Sequence, residues 1–147
     1  MAVVRVDDEQ GLEDAFSVRQ TVFVEEQGVD EEIEYDEHED DAVHFVAYER
    51  TDTGEGHPIG AARLREPEDG VGKVERVAVL ESHRENGIGR ELMDALETEA
   101  GSDGLETLKL HAQTRAAGFY RGLGYEQYGE EFEEAGIPHV AMKKSLE

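Results

Sequence analysis

The chain contains no cysteine. That removes thiolate catalysis, Cys-ligated metal and disulfides, and nothing points to an oxidising compartment. It is also poor in lysine: Lys73, Lys109, Lys143 and Lys144 are the whole complement. No apolar run approaches the roughly 20 residues of a membrane span, and the opening "MAVVRVDDEQ" turns acidic after a short apolar stretch. No membrane partner is expected, and the expected location is the cytoplasm. At 147 residues the chain is long enough to bury a core without disulfides, so one domain over 1–147 is expected.

What is abundant is acid. Fourteen Lys and Arg stand against 37 Asp and Glu, a formal charge of −23. Such a chain repels nucleic acid, whose binding depends on cations that displace counterions from phosphate. The apolar pattern is nevertheless that of a folded protein. Excess acid with little lysine resembles proteins that work in molar salt, where the screening length falls to about 3 Å. A halophilic, acidic protein that loses its fold at low salt is therefore expected.

"AVVRV" alternates like a short strand, and residues 9–24 place Leu12, Ala15, Phe16, Val22 and Phe23 near helical spacing. The acid-rich stretch 25–41 fails as a calcium loop, because counting from Asp30 the position that needs glycine is Tyr35. It is expected to be a solvated or substrate-facing loop. Strand-like runs at 42–50, 59–66 and 73–81 are separated by turn residues and predict an antiparallel meander. From Gly87, the residues Ile88, Leu92, Leu96 and Ala100 recur every fourth position and predict a helix that ends at "GSDG". A strand over 105–112, a helix across 114–124 closed by Gly124, and strands near 125–132 and 138–146 follow. The order β-α-β-β-β-α-β-α-β-β predicts an α/β (α+β) fold: a mixed, mostly antiparallel central sheet flanked by helices.

A strand followed by "RENGIGRELM" places two glycines and two arginines at a helix start, where unpaired backbone N–H groups attract anions, phosphate above all. The dinucleotide pattern fails at Leu92, where a glycine is required, and the Gly-Lys-Ser/Thr of a phosphate loop is missing. The pattern that fits is R-x-x-G-x-G, from Arg84 to Gly89. Downstream, "QTRAAGFYRGLGY" (113–125) presents Gln113, Ala116, Phe119 and Tyr120 in a second regular pattern.

Together these two motifs resemble those of the GCN5-related N-acetyltransferase (GNAT) superfamily. "VFVEEQGV", "KVERVAV", "LHAQ" and "FEEAGIPHVAMKK" are similar to its ElaA and YjcF branch, so the resemblance covers nearly the full length. It implies the GNAT acyl-CoA N-acyltransferase fold, with the fourth and fifth strands splayed and the pantetheine of acetyl-CoA bonded to backbone near Val77, Ala78 and Val79. A parity change from Val74 to Val77 and Val79 independently suggests a bulge at Glu75 and Arg76.

The implied activity is direct attack by a primary amine of a small molecule or peptide N-terminus on the thioester, without metal. The N–H groups of Glu85, Asn86, Gly87, Ile88, Gly89 and Arg90, with the charges of Arg84 and Arg90, would hold the pyrophosphate; Glu85 stands where the family often has glycine, and Gln113 replaces an asparagine. Tyr120 is the implied general acid, its bland alternative being a core tyrosine on a helix that buries Phe119. Glu75 is the candidate base, unless it is the ion-pair partner of Arg63 across the hairpin. His44, His111, Glu134 and His139 are candidates for the acceptor side. Arg63, Arg65 and Arg76 would form a cationic patch that favours a carboxylate-bearing acceptor, unless they pair with local acids. Two other readings stay open, a non-catalytic acyl-CoA sensor and a nucleotide-binding regulator. An exposed strand edge near the C-terminus makes a homodimer an option.

Overall fold

The computed structural model describes residues 2–30, 39, 42–50 and 56–146. Most of the acid-rich stretch (31–38, 40 and 41), Tyr35 included, lies outside the described residues, as do residues 51–55.

The elements are β1 (Ala2–Arg5), α1 (Glu9–Arg19), a π-helical turn (Gln20–Glu26), β2 (Val43–Arg50), β3 (Gly56–Glu68), β4 (Val71–Val79), α2 (Ile88–Ser102), β5 (Thr107–Gln113), α3 (Ala117–Gly122), β6 (Glu126–Glu134) and β7 (Ile137–Ser145). Short 3-10 turns at Glu81–His83 and Thr114–Ala116 lead into α2 and α3. The expected order holds throughout. The first helix starts where Asp8 accepts the Gly11 N–H at 2.7 Å, as an N-cap should. It runs on past the expected 9–24 by changing winding at Gln20.

Seven strands form one sheet in the order β1-β2-β3-β4-β5-β7-β6. Every pairing is antiparallel except β4 with β5. On one face α2 buries Ile88, Leu92, Met93, Leu96 and Ala100 against Phe45, Ile59, Leu64, Val74, Leu108, Leu110 and Met142. Leu92 and Leu96 are fully buried, each stabilising by roughly 1.5–3 kcal/mol. On the other face α1 sets Ala15 and Val18 on Val46, Ala61 and Ala78, at the β2–β3–β4 end of the sheet.

Two irregularities in β4 build the site. The parallel ladder joins only Val71–Val74 to Thr107–Leu110; from Glu75 onward the strands part. Against β3, the register runs from Ala61↔Ala78 to Arg63↔Glu75, so three steps on β4 oppose two on β3. The extra residue is absorbed at Arg76, whose φ is 56°. This is the bulge that the parity change predicts. Val74 before it and Val77 and Val79 after it all turn toward the α2 core, while Ala78 turns toward α1.

Candidate active site

The parted strands open a cleft of about 650 Å³. Val77, Ala78 and Val79 line one wall, and Leu110, His111, Ala112 and Gln113 line the other. Tyr120, Ala116 and Arg84 also line it, as do Arg65, Lys73, Glu75, Arg76, Glu134 and His139. Phe23, Gln27 and Val29 complete the lining. These last residues come from "VFVEEQGV", a segment that carried the family likeness without an assigned role.

At the α2 mouth Gly87 adopts φ 80° as N-cap, and no side chain caps the helix. The left-handed turn needs glycine there. At Gly89 the reason is space: a Cβ would stand 3.2 Å from Cζ of Phe119. Glu85 also has positive φ, 68°, which costs a residue with a side chain roughly 1 kcal/mol or more. Asn86 and Arg90 are exposed, whereas the Ile88 side chain is buried in the core, so Ile88 can offer a ligand only its backbone.

Arg84 is engaged. Its Nε donates to the Val79 carbonyl at 3.0 Å, and its two terminal nitrogens donate to Glu26 at 2.7 Å each. The hydrogen bond from Arg84 holds the Glu26 carboxyl below its ordinary pKa, and Glu26 raises that of Arg84 in return. Arg84 is thus paired with a local acid. Gln113 donates through Nε2 to Gln27 Oε1 at 2.8 Å and accepts from Arg115 Nε at 2.9 Å.

Tyr120 is buried, edge-on to both Phe119 and Tyr125. Burial raises the pKa of its hydroxyl, so it stays protonated at neutral pH. The hydroxyl has no protein hydrogen-bond partner among the described residues. Phe119 departs from expectation: it is 41% exposed and leans on Gly89 rather than entering the core.

Glu75 sits among cations. Arg63 and Arg65 donate to its Oε1 at 2.8 and 2.7 Å, and Lys73 Nζ is 3.5 Å from Oε2. Burial pushes its carboxyl up, but the hydrogen bonds and charges of Arg65, Arg63 and Lys73 outweigh burial and hold it below the ordinary carboxylate value. Of the two expectations for Glu75, the cross-strand ion pair is the one the geometry carries; a carboxylate this well paired is a weak base near neutral pH.

Two expectations for the acceptor side need correction. Arg63 has no exposed surface: it is sealed between Glu75 and Glu39, so it forms no patch beside the cleft. His44 faces α1, not the cleft. It lies edge-on to Phe16, with Nε2 2.8 Å from the Glu39 carbonyl, and burial lowers its pKa. Both errors share a cause: His44 is the direct β2 partner of Arg63, on the part of the sheet face that α1 covers. Arg65 and Arg76 do reach the cleft.

The other three candidates come together. Glu134 on β6 is 3.0 Å from His111 Nδ1 on β5 and 3.7 Å from His139 Nε2 on β7. His139 is 2.7 Å from the Ile137 carbonyl through Nδ1. A carbonyl only accepts, so Nδ1 carries the proton and Nε2 is left with the basic lone pair. Phe132 stacks on His139 and meets His111 edge-on, which orients both rings. The hydrogen bond from His111 holds the Glu134 carboxyl low.

Residues 6–146 match the family model for the acetyltransferase (GNAT) domain. The chain is 47% identical over 145 residues to the uncharacterised N-acetyltransferase YjcF of Bacillus subtilis, covering 98% of this chain and 99% of YjcF. The crystal structure of Escherichia coli ElaA has the same fold, with a TM-score of 0.82 at 24% identity over 97% of this chain and 98% of ElaA. An aminoglycoside 6′-N-acetyltransferase solved with coenzyme A superimposes with a TM-score of 0.75 at 17% identity, over 99% of this chain and 97% of that one. No group of metal-ligating side chains occurs among the described residues. The parted strands, the glycine turn before α2 and the match over almost the whole chain lead to one conclusion: this protein belongs to the GNAT family of acetyltransferases.

Proposed function

We propose that the protein moves the acetyl group of acetyl-CoA to a primary amine, of a small molecule or a peptide N-terminus, with both substrates bound together. The observation that carries this is the cleft along the unpaired edge of β4, lined both by Arg84, just before the uncapped start of α2, and by Tyr120. The coenzyme A held by a fold neighbour supports the choice of cofactor. When bound, acetyl-CoA supplies an activated acyl group.

The chain's own residues then divide the work. The N–H groups from Glu85 to Arg90, with Arg84 and Arg90, attract the diphosphate. The β4 edge from Val77 to Val79 offers backbone groups that no strand pairs. Gln113, Ala116 and Phe119 complete the wall next to Tyr120. His139 Nε2 accepts the proton that the amine loses as the C–N bond forms, and nearby Glu134 stabilises the imidazolium. As the C–S bond would break, Tyr120 would direct its O–H at the sulfur. An ordinary thiol has a pKa of about 8.5, far below that of this phenol. The protonated Tyr120 hydroxyl therefore acts by donating a hydrogen bond that stabilises the developing thiolate, which takes its proton finally from solvent.

Two variants test these roles. Tyr120→Phe should lower kcat about ten-fold or more with coenzyme A affinity intact; unchanged turnover would remove Tyr120 from the mechanism. His139→Asn should lower kcat about a hundred-fold with coenzyme A affinity intact; unchanged turnover would assign the proton to another group.

A further inference from the structure

Three of the chain's four lysines stand side by side. Arg65 on β3 is the direct partner of Lys73 on β4, Lys73 of Lys109 on β5, and Lys109 of Lys143 on β7. Residues directly opposite share a sheet face, so these four cations form one row about 14 Å long across four strands. Their neighbours Leu108, Leu110 and Met142 point the other way, into the α2 core. The row therefore lies on the face opposite α2, and its Lys109 and Lys143 end lies beyond the part that α1 covers.

Like charges directly opposite one another destabilise a sheet. In a chain with 37 acids and only 14 Lys and Arg, none of these four positions carries an acid; one stands only at the β6 end, where Glu126 is the direct partner of Lys143 but lies beyond ion-pair distance. Glu75 neutralises part of Arg65 and Lys73, but Lys109 and Lys143 have no acidic partner within ion-pair distance among the described residues. Each instead lies over the ring of Tyr128, at 5.8 and 5.2 Å. A cation over an aromatic face keeps its charge, and its remaining donors stay available.

The row adjoins the amine end of the cleft. Arg65 and Lys73 line the cleft with His111, Glu134 and His139, and Lys109 precedes His111 by two residues on one strand, roughly 7 Å away along the same face. In molar salt the overall negative charge is screened beyond a few ångströms, so these local cations decide which acceptor fits. We infer that the acceptor is an anionic amine, carrying a carboxylate or phosphate about 7 Å from its nitrogen, with the anion held by Lys73, Lys109 and Lys143 while the amine faces His139. This deepens the proposed function and rests on it.

The test compares matched acceptors with acetyl-CoA saturating: Gly-Glu-NH2, Gly-Gln-NH2 and Gly-Lys-NH2, and 4-aminobutyl phosphate against 4-aminobutanol. The acidic peptide should exceed the neutral one in kcat/KM by about five- to ten-fold, with the lysyl peptide poorest. Preference for the phosphate pair over the peptide pair would identify a phosphate as the natural anion; the reverse would identify a carboxylate. Lys109→Glu should invert the order of the acidic and lysyl peptides without changing coenzyme A affinity, and Lys143→Gln, a milder change, should raise KM for the acidic peptide alone. Coenzyme A binding with neutral or cationic acceptors preferred, or an order unmoved by both variants, would overturn the inference and leave the proposed function standing. Failure of coenzyme A to bind the wild-type protein would instead overturn the function itself.

Discussion

Replacing Glu75 by glutamine separates the two roles that the residue could have. Glu75 is 12% exposed and contacts Arg63, which is fully buried, together with Arg65 and Lys73, which are 19% and 25% exposed. Removing one member of a buried ion pair costs about 3–5 kcal/mol, because the partner remains buried and uncompensated. Arg63 keeps Glu39 at 3.0 Å, and water reaches Arg65 and Lys73, so about 2–3 kcal/mol is the appropriate figure here. For a domain of this size that corresponds to a drop in Tm of roughly 5–10 °C. Thermal unfolding by circular dichroism in molar salt measures it, and kcat measured well below Tm should stay within about three-fold of wild type. A loss of a hundred-fold or more with Tm unchanged, the scale expected for removing a general base, would refute the structural assignment. The same network fixes a pH response. The folded-state pKa values of Glu75 and Glu39 lie below the ordinary 4.5, so unfolding takes up protons at acid pH. Their contribution is complete above pH 4.5 and is lost as pH falls through the folded values; Glu75→Gln should flatten that acid limb.

Two further outcomes are expected. Glu26→Gln removes the carboxylate that holds Arg84, freeing its guanidinium for the diphosphate, so the Kd for coenzyme A by calorimetry should fall about three- to five-fold; a rise would show that Glu26 instead positions Arg84 for the ligand. With a formal charge of −23, the chain should lose its native circular dichroism in salt-free buffer and regain it in molar salt; a full native spectrum without salt would contradict the halophilic reading.

The features legible in the sequence are those set by local patterns. The four-residue spacing from Ile88 to Ala100 marks α2 and its buried stripe, and the parity change around Arg76 marks the bulge. Glycines at 87 and 89 mark the turn, for different reasons: one by its φ, the other by the closeness of Phe119. What stayed hidden depends on register between distant strands. Arg84 meets Glu26 across 58 positions, and no local pattern signals that pair. His44 and Arg63 look like cleft residues until the pairing of β2 with β3 places both under α1. The converse holds for His111, Glu134 and His139, which only the β5–β7–β6 ladder brings together. The lysine row needs three registers at once, so four scattered lysines gave no sign of it.

A crystal of the protein with acetyl-CoA, grown in molar salt, tests the central claim most directly. The diphosphate should lie within hydrogen-bond reach of the N–H groups at the mouth of α2, with the thioester sulfur beside the Tyr120 hydroxyl. Coenzyme A bound outside the β4–β5 cleft, or a mouth still closed by the Glu26 and Arg84 pair with the cofactor displaced from it, would contradict that claim.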